Sequence, residues 1–191
     1  MRPPPILVRA GGLLDSPLVS GSDGIVAETA RLRLRRLRPS DLDVIAAMVA
    51  APEQMRHYPA PRSRDEARAW LDRNLAVYDR HGHGTWYLEF VQDGGFAGYC
   101  GIRPLELDGR TETEIGWHVL RTHWNQGLAT EAATAAMELG FGRFGLRRLV
   151  AIIHPDNAAS RAVARKLGMQ EEGPTTLEGE PYVLYGVDVS L

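Results

Sequence analysis

Gly127 and Ala129 give the chain a turn that could bind phosphate. A strand-like run from Glu112 to Leu120 leads into a short polar segment, and a helix opens through these two small residues. The first N–H groups of a helix have no partner within it, and the helix dipole places positive potential at the same end. Because small side chains let a ligand approach the main chain, this pattern predicts an anion site. It also fits an ordinary strand-to-helix turn with a close-packed glycine.

Two titratable side chains, Glu114 and His118, belong to the strand that precedes this turn. Side chains alternate along a strand, so both are predicted on one face, with Gly116 between them. The turn lacks the G-K-[ST] ending of a P-loop and the spacing of a dinucleotide fingerprint. His81 and His83 stand in an H-x-H spacing without a cluster of Cys or carboxylate residues. We therefore expect no metal site.

Two motifs, one around this turn and one further along the chain, occur in a fixed order. The first comprises Glu114–Val119 and Trp124–Ala132, and the second comprises Pro155–Ser160 and Lys166–Met169. Together they resemble the acetyl-CoA-binding core of the GNAT superfamily of N-acetyltransferases, most closely its RimJ/RimL branch. The resemblance covers about residues 31 to 187, and the chain has Asn125 where the branch usually has Gly.

This resemblance implies that the protein uses acetyl-CoA as a cosubstrate and acetylates a primary amine. In the family, the pantetheine arm pairs with a strand end and the pyrophosphate rests on the amides of the turn. Arginines near both motifs are candidate phosphate partners. Asn157 matches a cofactor-contacting asparagine, and it also fits the N-cap of a helix. The predicted cofactor-binding residues are Val119, Leu120, Arg121, Gln126, Gly127, Leu128, Ala129, Thr130, Asn157 and Arg161.

Acetyl transfer needs a group that removes the surplus proton of the amine and a donor that helps the departing thiolate. Glu114 matches the acidic position of the branch and is the predicted base, with His118 as the competing base. Ser160 matches the branch's proton donor, while a serine in a first helical turn can equally bond to its own main chain. No covalent enzyme intermediate is required, and Cys100 is predicted to pack in a strand.

The composition bounds the class of protein. The chain has 191 residues, 44% of them hydrophobic, and a net charge of −2. This size suits one globular domain, and the balanced charge predicts no nucleic-acid or membrane partner. No apolar run approaches the roughly 20 residues that span a bilayer. A single cysteine suits a reducing compartment, so we expect a cytoplasmic protein that is a monomer or a homodimer.

The order of elements predicts the fold class. Hydrophobic alternation predicts strands near 31–37, 85–91, 96–102, 112–120, 149–153, 169–173 and 182–190. Helical patterns begin at Pro39–Asp41, which offers a cap, at Ser63, after Gly127 and at Asn157. Residues Ser63–Glu66 also fit a capping box. We therefore expect a mixed α/β (α+β) fold, with a mostly antiparallel sheet of about seven strands and about four helices. The strand before Gly127 and the strand at 149–153 are predicted to be parallel, and the family implies that they splay apart.

Residues 1–28 are rich in Pro, Gly and Ser, and they are predicted to form a loosely ordered arm without the features of a signal peptide. Residues 29–191 are predicted to form a single domain. The loop at Met55–Pro59 borders the acceptor pocket if the GNAT fold holds. The acceptor stays open between a protein or peptide N-terminus and a small-molecule amine. A non-catalytic acyl-CoA sensor that uses the same pocket is the alternative function.

Overall fold

The structure, a computed structural model, describes residues 24–189, which form eight β-strands and four α-helices. The strands are β1 (Ile25–Glu28), β2 (Leu32–Arg36), β3 (Thr85–Phe90), β4 (Phe96–Leu107), β5 (Arg110–Val119), β6 (Arg148–Ile153), β7 (Gln170–Leu177) and β8 (Glu180–Asp188). The helices are α1 (Leu42–Ala50), α2 (Arg64–His81), α3 (Leu128–Glu138) and α4 (Ala158–Lys166).

The strands form one sheet in the order β1-β2-β3-β4-β5-β6-β8-β7. Every neighbouring pair is antiparallel except β5 and β6, which are parallel. The chain passes from β5 to β6 through α3, as a crossover between parallel strands requires. This arrangement confirms the predicted fold class.

The parallel pair of strands is joined at one point. Glu114 of β5 aligns with Val150 of β6, and no other pair of residues aligns between these strands within residues 24–189. β5 nevertheless continues to Val119 and β6 to Ile153. The strands therefore separate towards their carboxyl ends and leave a gap in the middle of the sheet.

The core lies between the sheet and the helices. Large side chains of β2, β3 and β4, such as Leu34, Trp86 and Ile102, are fully buried. α3 packs against β4 and β5. It does so through alanines at positions 132, 133, 135 and 136, each 0% exposed. Because alanine extends only one methyl group from the main chain, α3 lies close to the sheet, and so does the turn from which it starts.

The two first helices start differently. Ser63 and Glu66 form the predicted capping box of α2: Ser63 Oγ accepts from the Glu66 amide, and the Glu66 carboxylate accepts from the Ser63 amide at 2.7 Å. At α1 the predicted segment supplies the N-cap residue, Asp41, but its side chain forms no capping bond to the helix. The carboxylate of Asp41 binds the guanidinium of Arg35 at 2.8 and 2.9 Å and the amide of Arg38 at 2.7 Å instead.

Several boundaries differ from the prediction. Ile25–Glu28 form an edge strand, although they were expected in the arm, and this strand brings the count from seven to eight. Four residues are too few for alternation to be detected in the sequence. The remainder of the arm, residues 1–23, lies outside the described residues. β4 also extends five residues beyond Ile102, to Leu107. Within residues 24–189, no helix combines the length and the hydropathy that a membrane crossing needs.

Candidate active site

Two cavities meet at Glu114, beside the gap between β5 and β6. The first, of about 100 Å³, is lined by β5, β6, the start of α4 and the segment before α2. The second, of about 120 Å³, is lined by β4, β5, α2 and the segment between α1 and α2. Tyr58, Glu114, Gly116 and Trp117 line both cavities. A ligand in either cavity can therefore reach the same carboxylate.

The carboxylate of Glu114 is buried and only partly satisfied. Its side chain is 10% exposed, and the register between β4 and β5 places Arg103 opposite it. Nη2 of Arg103 is 2.6 Å from Oε2 of Glu114. Beyond this ion pair, Oε2 has no hydrogen-bond partner among residues 24–189. Burial raises the pKa of Glu114, while the charge of Arg103 opposes the shift. The result is a carboxylate that is more basic than a surface glutamate.

Gly116 keeps the space beside this carboxylate open. It lies on the same face of β5 as Glu114 and His118, because side chains alternate along the strand. A methyl group at this position would contact no atom within 4 Å. Any larger residue would therefore project into the two cavities.

His118 lines the second cavity, and both of its ring nitrogens are occupied. Nε2 lies 3.3 Å from the carbonyl oxygen of Gln54, and Nδ1 lies 2.7 Å from the hydroxyl of Tyr99. A carbonyl only accepts, so Nε2 carries the proton and Nδ1 accepts from Tyr99. Burial lowers the pKa of His118 to about 4. The imidazole is therefore neutral near pH 7, and its lone pair is already bound.

Tyr58 covers the junction of the two cavities. The residue is 40% exposed, and its ring stacks on His118 with 5.3 Å between the ring centroids. The hydroxyl is set among protein atoms: burial, followed by the charge of Glu114, raises its pKa to about 12. This tyrosine is consequently a neutral hydrogen-bonding group at physiological pH.

Asn157 and Ser160 line the first cavity from the start of α4. Oδ1 of Asn157 accepts from the amide of Ser160 at 3.0 Å, so Asn157 is the N-cap of this helix. The hydroxyl of Ser160 forms no hydrogen bond with any residue between 24 and 189. The hydroxyl is therefore available to a ligand. The hydrogen bond between Ser160 and Asn157 uses the main-chain amide of Ser160 and does not involve its side chain.

The turn at the start of α3 has the backbone that an anion site requires. Gly127 is its N-cap at φ +78°, and no side chain caps the helix. The first helical hydrogen bond runs from the amide of Glu131 to the carbonyl of Gly127, so the amides of Leu128, Ala129 and Thr130 precede the intrahelical ladder. Asn125 has φ +60°, a conformation that asparagine tolerates better than most residues. The departure from the family's glycine thus preserves the shape of the turn.

The buried carboxylate of Glu131 stabilises this turn through hydrogen bonds. Glu131 accepts from the hydroxyl of Thr29 at 2.6 Å and from Nε of Arg31 at 2.7 Å. Arg31 in turn donates to the carbonyl of Gln126 at 2.8 Å. These bonds connect the segment between β1 and β2 to both ends of the turn. They hold the turn in place without using the amides of Leu128, Ala129 and Thr130.

The strand end at Val119–Arg121 is already paired with a side chain. The carbonyl of Val119 accepts from Nε2 of Gln54 at 2.9 Å and from the indole of Trp124 at 2.8 Å. The amide of Arg121 donates to Oε1 of Gln54 at 2.8 Å. The amide of Leu120 donates to Ala97 of β4. Gln54 therefore occupies the main-chain groups at which the family pairs its pantetheine arm.

The two predicted phosphate arginines are placed differently from one another. Arg121 is 59% exposed, with its guanidinium 3.6 Å from Glu53. Arg161 does not line either cavity, and its guanidinium is committed to protein partners: the hydroxyl of Tyr185, the carbonyl of Pro155 and the carboxylate of Glu171, at 3.0 to 3.2 Å. In this structure Arg161 thus stabilises the contact between α4 and the last two strands.

Several residues of the site were absent from the prediction. Arg103 could have been found by counting back from the Asp108–Gly109 turn, because the register of a hairpin follows from its turn. Gln54 and Arg62 come from the irregular segment between α1 and α2, where the sequence has no periodicity to place them. Further lining residues that were missed include Trp70, Tyr99, His154 and Tyr182. The loop at Met55–Pro59 was predicted to border the acceptor pocket, and its residues Met55, His57 and Tyr58 line the two cavities.

Comparisons with known proteins agree with this geometry. Residues 31–170 match the family model of the GNAT acetyltransferase domain. YkkB of Bacillus subtilis strain 168 is 32% identical over 158 residues, which is 82% of this chain and 92% of YkkB. The N-acetyltransferase YoaA of the same strain is 30% identical over 150 residues, which is 78% of this chain and 84% of YoaA.

Solved structures share the fold. The acetyltransferase from Agrobacterium tumefaciens strain C58 superposes with a TM-score of 0.77 at 24% identity, covering 92% of this chain and 100% of that one. RimL, a ribosomal L7/L12 alpha-N-protein acetyltransferase in complex with coenzyme A, gives a TM-score of 0.69 at 22% identity. The superposition covers 84% of this chain and 95% of the RimL chain. Since the family model spans most of the chain and the fold agrees, the protein belongs to the GNAT acetyltransferase family.

Proposed function

We propose that this protein is an N-acetyltransferase of the RimJ/RimL type, which moves the acetyl group of acetyl-CoA to a primary amine by direct attack in a ternary complex. The observation that carries the proposal is the junction of two cavities at Glu114. One cavity bears Asn157 and Ser160, and the other has aromatic and cationic walls. Two substrates can be held there at once, with a carboxylate between them.

The turn at Gly127 supports acetyl-CoA as the acyl donor. The amides of Leu128, Ala129 and Thr130 suit a pyrophosphate, and the RimL structure of similar fold carries coenzyme A. Pairing of the pantetheine arm with Val119 requires the side chain of Gln54 to move aside, because this carbonyl already accepts two hydrogen bonds.

Glu114 is the proposed base. An acceptor amine with a pKa near that of lysine, about 10.4, is almost fully protonated at neutral pH and has no lone pair for the attack. The raised pKa of Glu114 makes its carboxylate a better proton acceptor, and Oε2 has capacity for a donor from either cavity. Both properties of Glu114 increase the fraction of attacking amine.

Ser160 is the proposed proton donor to the leaving group. The amine nitrogen forms a bond to the acetyl carbon, the carbon–sulfur bond breaks, and the thiolate keeps the electron pair. The proton from nitrogen goes to Glu114, and the hydroxyl of Ser160 donates a proton to the sulfur. A proton relayed from solvent restores the hydroxyl, and Glu114 returns its proton to solvent. His118 is not assigned the role of base, since its lone pair is bound by Tyr99 and its pKa is about 4.

A thiol-release assay beside a binding measurement tests this function. Calorimetric titration with acetyl-CoA is expected to show binding, and a broad panel of amines and peptides is expected to release coenzyme A with at least one acceptor. Binding without release across the whole panel would establish the acyl-CoA sensor in place of the enzyme. The absence of binding would exclude both functions.

A further inference from the structure

Arg62 is a charged residue of the second cavity that acetyl transfer itself does not require. It lies two residues before α2, is partly buried, and lines the cavity together with Arg103 and Glu114. Among residues 24–189 its guanidinium forms no ion pair. Glu66 feels its charge, but the Glu66 carboxylate is exposed and is bound by Ser63 in the capping box of α2. Within the part of the chain that the structure describes, a cation therefore lies at the cavity wall without a carboxylate partner.

The second cavity has an excess of positive charge. Its charged lining groups are Arg62, Arg103 and Glu114, and Arg103 is already paired with Glu114. His118 adds no charge near pH 7 because burial lowers its pKa to about 4, and the charge of Arg62 contributes to this lowering. One uncompensated positive charge, that of Arg62, thus faces whatever the cavity binds.

We propose that the acceptor is a small amine that also carries a carboxylate, and that Arg62 binds this carboxylate while Glu114 receives the proton of the amine. This inference rests on the proposed acetyl transfer and specifies its acceptor. Arginine presents a planar fork of donors that matches a carboxylate. The other walls of the cavity are aromatic, with Trp70 and Tyr99 in contact at 4.8 Å between ring centroids, and they have no charge to offer a second ammonium group.

The size of the cavity sets the length of this acceptor. A cavity of about 150 Å³ holds benzene, so a space of about 120 Å³ suits roughly five or six heavy atoms. Amino acids with a short spacer between the amine and the carboxylate have this size. A polyamine of similar length would place a second ammonium group in the field of Arg62, so it is expected to bind poorly.

Matched acceptors that differ only in the charged end test the proposal. We expect glycine and β-alanine to be acetylated with a kcat/KM about 10- to 100-fold above that of the corresponding amides, in line with a hydrogen bond to a charged group. The difference is expected in KM, because the carboxylate contributes to binding and takes no part in making or breaking bonds. Putrescine and 1,3-diaminopropane are expected to be poorer still.

Variants at position 62 assign the preference to one side chain. Arg62→Gln is expected to lower kcat/KM for the carboxylates to the value for the amides and to preserve turnover of the amides. Arg62→Lys is expected to restore part of the difference. The matched control is Arg64→Gln: Arg64 is exposed, pairs with Asp43 and lines neither cavity, so the preference is expected to persist.

Four results would contradict the inference. Equal kcat/KM for carboxylates and amides in the wild type would overturn it and leave acetyl transfer standing. Transfer to peptides with free N-termini, but to none of the small amines, would do the same. A folded Arg62→Gln protein that keeps the full preference would remove Arg62 from the assignment. Transfer to no acceptor at all would overturn the proposed function together with the inference.

Discussion

The turn at Gly127 and the proposed reaction centre at Glu114 are built in opposite ways. The turn uses the main chain of consecutive residues, with a left-handed glycine and the first amides of α3. The centre takes single side chains from β4, β5, α4 and the segment between α1 and α2. A main-chain site tolerates changes of side chain and fails when the backbone changes, whereas a side-chain site fails when one functional group is lost. Substitutions at the two regions should therefore separate binding from turnover.

Glu114→Gln is expected to have the largest effect. It keeps the shape of the side chain, removes its basicity and should lower kcat by about 10²–10⁴-fold at neutral pH. The wild-type rate should rise with pH as Glu114 loses its proton, and this limb should shift or vanish in the variant. Part of the lost rate should return at high pH, where more of the amine is neutral. The pH–rate profile measures both.

Glu112→Gln is the control for this variant. Glu112 lies on the same face of β5, pairs with Arg148 at 3.4 Å and lines neither cavity, so turnover should stay near that of the wild type. Affinity for acetyl-CoA should be unchanged in both variants. A wild-type profile for Glu114→Gln would show that the amine loses its proton to solvent before the attack.

Gly127→Val is expected to weaken acetyl-CoA binding by about 10- to 100-fold, the effect of losing hydrogen bonds to a charged group. A β-branched residue is strained at φ +78°, so the amides of the turn should lose their alignment. Calorimetric titration measures the affinity. Gly145→Val is the matched control, because Gly145 has φ +64° and an added Cβ would meet nothing within 4 Å. Gly145→Val should lower the melting temperature and leave the affinity for acetyl-CoA unchanged. An equal loss of affinity in both variants would argue against the site.

Ser160→Ala should lower kcat by about 10-fold and leave the affinity for acetyl-CoA nearly intact. The effect is smaller than that of a typical general acid because a thiol, with a pKa near 8.5, leaves readily without help. Single-turnover kinetics measure the chemical step. Asn157→Ala provides the comparison, since loss of the cap should cost about 1 kcal/mol of stability. A Ser160→Ala protein that loses stability but no rate would make the serine structural.

His118→Gln should leave the pH–rate profile unchanged and alter stability instead. The pKa of His118 falls from 6.5 to about 4 on folding, so the unfolded chain binds more protons in this interval. The wild type should therefore lose stability as the pH falls from 7 towards 4, by roughly 2 kcal/mol at pH 5 from this residue. The His118→Gln variant should lack this contribution to the loss of stability at low pH. Urea unfolding at pH 7 and pH 5 tests it, and a changed pH–rate profile would return His118 to the role of base.

The turn was predictable because its signals are local. A strand pattern, two small residues and a following helical pattern occupy one continuous stretch, and Asn125 adopts the left-handed conformation there that its type allows. The capping box at Ser63 belongs to the same class, since its two partners are three residues apart. Main-chain sites of this kind are formed by residues that are close in sequence, so they can be predicted without knowledge of the fold.

The reaction centre was predictable only in part, because its partners are distant in sequence. The faces of β5 follow from alternation, and the turn at Asp108 and Gly109, with φ of 50° and 73°, fixes the pairing that brings Arg103 to Glu114. No such rule places Arg62. Its position depends on how an irregular segment packs over the sheet, and Gln54 reaches Val119 for the same reason. Tertiary packing, rather than local propensity, decides these contacts.

The alanine face of α3 has a consequence for how the protein can vary. Ala132, Ala133, Ala135 and Ala136 set the distance between the helix and the sheet, and the amides proposed to bind phosphate belong to the first turn of the same helix. An added pair of methyl groups on this face would push the helix outward at a cost of about 1–3 kcal/mol. It would also displace the amides, although none of these alanines faces a ligand. Substitutions on α3 should therefore be tolerated only on its outer face. A mutational scan should find that the alanine face does not tolerate larger residues, although it lies far from any reacting atom.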